Sequence, residues 1–155
     1  MKTNIHLIFA IAVVLIFTTC KKDNTNNQPA VTDLRGVWNI IGTLVTTTNP
    51  DPNAPQPGFQ APDVWTVALN AGVPKLTTSK GSVDGTGVNT GYHFEGQVTI
   101  VPSPLVWMTF KIEIFPSVNY NQIYGTEELT YYGLDGVGNP HLLGTESWTI
   151  AGSKQ

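Results

Sequence analysis

Between residues 106 and 114 every second residue is apolar, and that period of two belongs to a strand with one buried face. Val106, Met108, Phe110, Ile112 and Ile114 share one face, while Trp107, Thr109, Lys111 and Glu113 share the other. The preceding stretch repeats the pattern: Tyr92, Phe94, Gly96, Val98 and Ile100 alternate with His93, Glu95, Gln97 and Thr99. Pro102-Ser103-Pro104 is a short connection between the two, which makes them an antiparallel hairpin.

Further strands are expected over Val37 to Thr48, Val64 to Asn70, Lys75 to Ser79, Ile123 to Tyr132 and His141 to Ala151, with a weaker one from Val83 to Asn89. About eight strands at near-regular spacing predict an all-β fold, an antiparallel up-and-down barrel, with a β-sandwich as the alternative. Closing the sheet would remove its exposed edges. The 15 Gly and 11 Pro are spread along the chain among abundant Thr, Val, Tyr and Trp, which favours strands and turns, and no helical stretch follows residue 20. The segments Gly125 to Thr130 and Gly144 to Thr149 look alike and read as two strands of one hairpin. The one long connection is Asn49 to Asp63, where Pro50, Pro52, Pro55, Pro57 and Pro62 argue against a strand interior.

The N-terminus has a separate character. Lys2 precedes Leu7 to Phe17, an uninterrupted apolar run, and Thr18-Thr19-Cys20 follows: the layout of an export signal. The run is too short to span a bilayer, which takes about 20 apolar residues. Cys20 is the only cysteine, so no intramolecular disulfide can form. Its place just after the apolar run resembles the lipobox of bacterial lipoproteins, in which the cysteine is acylated and becomes the mature N-terminus. That resemblance implies a signal peptide over 1–19, a lipidated Cys20 with a flexible tether over 20–32, and one folded domain over 33–155. The partner it implies is a membrane, reached through the lipid anchor, and the basic pair Lys21 and Lys22 with Asp23 resembles the short signals that send some Gram-negative lipoproteins to the cell surface. The expected location is the cell envelope, at the outer membrane.

Composition excludes several functions. Hydrophobic residues make up 41% and charged residues 12%, so the domain must fold by burial and not as a disordered or coiled-coil chain. A net charge of −3, without clustered basic residues beyond Lys21 and Lys22, argues against nucleic acid as a partner.

Gly36-Val37-Trp38, opening the first long strand after Asp33-Leu34-Arg35, resembles the start of strand A in lipocalins and in the lipocalin-like domains of bacterial lipoproteins. In that family the tryptophan packs across the closed end of the barrel and the largest loop joins the first two strands. The resemblance covers roughly Asp33 to Ala151 and implies a structural role for Trp38 and a binding or accessory function. The family also stacks an arginine from near the last strand on this tryptophan; the sequence departs from that pattern, with no such arginine and only Lys154 in that region.

Three functional readings follow from the residues. The first is a binding module whose cavity, for a small apolar ligand, would be lined by Phe94, Val98, Met108, Phe110, Ile112 and Leu129. The second is surface glycan binding: Trp107, Tyr124 and Tyr132 fall on polar faces, and flat aromatics beside hydrogen-bonding groups suit a sugar ring. The third and weakest is a glycoside hydrolase using Glu127 or Glu146, since carboxylates meeting across the last hairpin are what that reaction requires. No nucleophile with an orienting base can be named, so no catalytic residue is assigned. His93 and His141 lack the companions of a zinc site, and neither a metal nor a cofactor is expected.

Overall fold

A computed structural model describes residues 33–88, 90–102 and 104–155. The expected signal peptide, the tether and Cys20 lie outside the described residues. Eight strands follow in chain order: β1 (Gly36–Thr47), β2 (Gln60–Asn70), β3 (Val73–Thr78), β4 (Gly81–Val88), β5 (Gly91–Pro102), β6 (Leu105–Pro116), β7 (Gln122–Leu134) and β8 (Pro140–Lys154). Each pairs antiparallel with the next, and β1 pairs with β8 from Trp38↔Lys154 to Thr47↔Glu146, so the sheet is a closed up-and-down barrel. The β1–β8 ladder rules out the sandwich, which would leave those strands as edges.

The alternating hairpin is β5 and β6, in the register Tyr92↔Ile114, Phe94↔Ile112 and Val98↔Met108, with their common face turned inward. β2 departs from expectation by starting at Gln60 and carrying Pro62 within it. The reason lies in the pairing: β2 bonds β3 only from Thr66 to Asn70, whereas it bonds β1 from Gln60 onward. Pro62 therefore faces β1 on one side and, among the described residues, no strand on the other, the edge position a proline can occupy. The β2–β3 reversal is tight, with Ala71 (φ 49°) and Gly72 (φ 85°) both left-handed, as a two-residue type I′ turn requires.

The core is one cluster that runs from the end of the barrel where β1 begins and β8 ends up to Leu44 and Met108. Leu34 and Trp38 are fully enclosed, and the Trp38 indole N–H donates to the Leu34 carbonyl at 2.9 Å. Lys154 carries its ammonium over the Trp38 ring, 5.5 Å from the centroid. To get there its side chain crosses Gly36, where an added Cβ would stand 2.7 Å from Lys154 Cε. Gly36, at φ 140°, thus meets a backbone demand and a space demand together. Tyr92, Phe94, Ile112, Ile114 and Ile123 close the rest of this end.

Candidate functional site

The short β2–β3 ladder has a consequence for access. From Gln60 to Trp65 the wall has no strand beside it on the β3 side among the described residues, and the turn after β3 faces the gap. Behind the gap lies a half-open cavity of about 190 Å³ inside the barrel. Ile40, Leu129 and Ile150 give it aliphatic surface, Trp65, Trp148 and Tyr131 give it aromatic surface, and Asp63, Lys80, Glu127 and Glu146 give it charge.

Strand parity puts the acidic residues there. On β7, Glu127 shares its face with Ile123, Leu129 and Tyr131; on β8, Glu146 shares its face with Trp148 and Ile150. The register pairs Glu127 with Trp148 and Leu129 with Glu146, so the two glutamates are diagonal neighbours on the inner wall. They are 5% and 8% exposed. A buried charge needs a partner, and each has one. Lys80, in the turn after β3, reaches Glu127 Oε1 at 2.6 Å and ties that turn to β7. Glu146 Oε2 accepts from the Tyr131 hydroxyl and from the Trp148 indole N–H, both at 3.1 Å. Burial, with the Glu146 carboxylate beside it, pushes the Tyr131 phenol well above its usual range, so it stays protonated and donates. Asp63 Oδ2 accepts from the Trp65 indole N–H at 2.9 Å and from Ser79 Oγ at 3.0 Å, the latter bond bridging the gap.

The loop between β1 and β2 braces the same wall. Thr48 and Thr145 join it to the start of β8 through backbone and side-chain bonds, and Phe59 meets Trp148 edge-on at 6.4 Å.

The residues singled out from sequence separate into groups. Phe94, Met108 and Ile112 are buried in the core, with Val98 and Phe110 packed against it, all on β5 and β6. Leu129 belongs to that core and also lines the cavity. Trp107 and Tyr132 pair across β6 and β7 on the outer surface with rings stacked, 5.5 Å apart and 15° between planes. Tyr124, 55% exposed, stacks on Phe115 at 6.0 Å instead. Eight residues of β7 separate it from Tyr132, roughly 27 Å at 3.4 Å per residue, so the three aromatics are not one surface. Glu127 and Glu146 come together in the cavity, while Glu128 points outward beside Lys111 and Ser147. His93 sits between Glu95 and Glu113, at 3.4 and 3.3 Å.

Asp63, Lys80, Tyr131 and the tryptophans Trp65 and Trp148 were not among the site residues expected from sequence. By parity Trp65 falls with Val67 and Leu69, and Trp148 with Ile150, on apolar faces; that Asp63 and Lys80 converge with them depends on where β3 stops pairing. No protein-family model and no curated protein matches the chain.

Proposed function

We propose that the protein is a lipid-anchored envelope protein whose lipocalin-like barrel binds one small molecule in this cavity. The observation that carries the binding reading is a half-open internal cavity with mixed aliphatic, aromatic and charged lining, reached through a gap in the wall. A dry cavity of roughly 150 Å³ takes up benzene, so about 190 Å³ suits a single ring with a short polar arm and not a long acyl chain. Support for the lipocalin-like reading is the Lys154 ammonium over Trp38, where that family uses an arginine, and the large loop between the first two strands. The lipid anchor rests on the sequence around Cys20.

Saturation-transfer NMR with single-ring compounds of positive, neutral and negative charge tests the binding reading. At least one should bind; a panel in which none does overturns it. For the anchor, Cys20→Ser should move the protein out of the membrane fraction, and an unchanged partition with an unchanged mature mass contradicts it. A second reading, glycan binding on the outer ledge, is favoured by the Trp107–Tyr132 stack. A Trp107→Ala protein that migrates like the unaltered one in affinity electrophoresis against polysaccharides would remove it.

A further inference from the structure

The cavity's charge and walls select among small molecules, and this inference rests on the binding reading above. We infer that the cavity takes a small organic cation, a primary amine carried on one ring. Three carboxylates, Asp63, Glu127 and Glu146, line it against one ammonium, that of Lys80, which leaves a formal charge of −2. The deficit is built into the lining. Glu127 and Glu146 are each more than nine-tenths buried, yet Glu127 Oε2 and Glu146 Oε1 accept no hydrogen bond among the described residues. No fully enclosed side-chain oxygen is left without a partner among those residues, so these two oxygens face the accessible lumen.

The site already accommodates an ammonium: Lys80 Nζ sits 2.6 Å from Glu127 Oε1. Its aromatic walls suit a second. Trp65 and Trp148 both line the cavity, and both turn their indole N–H to a carboxylate, which fixes the rings. An indole is the best of the natural side chains at attracting a cation. An anionic ligand would meet three carboxylates and an ammonium already engaged. A neutral alcohol could donate to one carboxylate, but it would bring no positive charge to offset the lining's deficit.

The test is calorimetric titration of the purified protein with benzylamine, benzyl alcohol and benzoate, which share a ring and differ in charge. Benzylamine should bind at least tenfold more tightly than benzyl alcohol, and benzoate should not bind. If the alcohol or benzoate binds as well as the amine, the charge inference fails while the binding reading stands. If none of the three binds, both fail. Glu146→Gln should lower benzylamine affinity at least fivefold; since that variant removes a buried acceptor, Asp63→Asn, at the half-exposed rim, serves as the second and should lower it in the same direction. Benzylamine affinity unchanged in both variants, with each folded by circular dichroism, overturns the assignment.

Discussion

Gly125 shows how closely the barrel packs at single positions. A Cβ there would stand 1.9 Å from the Glu113 carbonyl oxygen, which belongs to the backbone of β6 and has no flexible end to move aside. Gly125→Ala should therefore cost about 2 kcal/mol or more, within the range of overpacking. Gly136, with nothing within 4 Å, should tolerate alanine with a change under about 0.5 kcal/mol. Equal urea midpoints for the two variants would contradict this. Asp33 gives a pH-dependent case. Hydrogen bonds from the Arg35 side chain and backbone N–H lower its pKa from 3.8 to about 2. The folded value lies below the unfolded one, so the pair's contribution is present above pH 3.8 and is lost as pH falls toward 2. An NMR titration should find the carboxyl midpoint near 2, moving back up in Arg35→Gln; a midpoint that does not move contradicts the assignment. At this scale much was legible. Counting by twos along β7 and β8 puts Glu127 with Leu129 and Glu146 with Trp148, facing inward, although the pairing of carboxylates across a hairpin reads equally well as wet surface.

At the scale of elements, the strands were readable because apolar alternation and turn residues bound them. β2 was the exception, since the prolines that argued against a strand apply only where both sides need hydrogen bonds, and Pro62 has a partner on one side alone. How far β2 and β3 pair depends on six-residue β3 ending at Thr78, and no local pattern reports where a ladder stops. The turn after β3 is held by Lys80 on Glu127. Removing one partner of a buried pair costs about 3–5 kcal/mol; with the Lys80 side chain 33% exposed, Lys80→Met should cost about 2 kcal/mol. The double variant Lys80→Met with Glu127→Leu should recover most of that loss, because no unpaired charge remains. A double variant less stable than Lys80→Met in urea denaturation would show that the bridge itself, and not the stranded carboxylate, carries the effect.

For the whole molecule, closure of eight strands leaves an interior divided between one packed core, running from Leu34 and Trp38 to Leu44 and Met108, and an opening between β2 and the turn after β3. The barrel followed from strand count and alternation. The division did not, because every inward face carries apolar residues and only the register decides which of them meet. Phe94, Met108 and Ile112 read as cavity lining for that reason, and they lie in the core. On the proposed reading a ligand binds inside the wall at Trp65 and Trp148 and not on the outer surface. The four tryptophans are placed to decide it: two line the cavity, Trp38 closes the packed end, and Trp107 lies outside. A ¹⁵N-labelled sample titrated with benzylamine should shift the indole N–H signals of Trp65 and Trp148 and leave those of Trp38 and Trp107 in place. A shift confined to Trp107, or four unmoved signals at saturating amine, would contradict binding at this site.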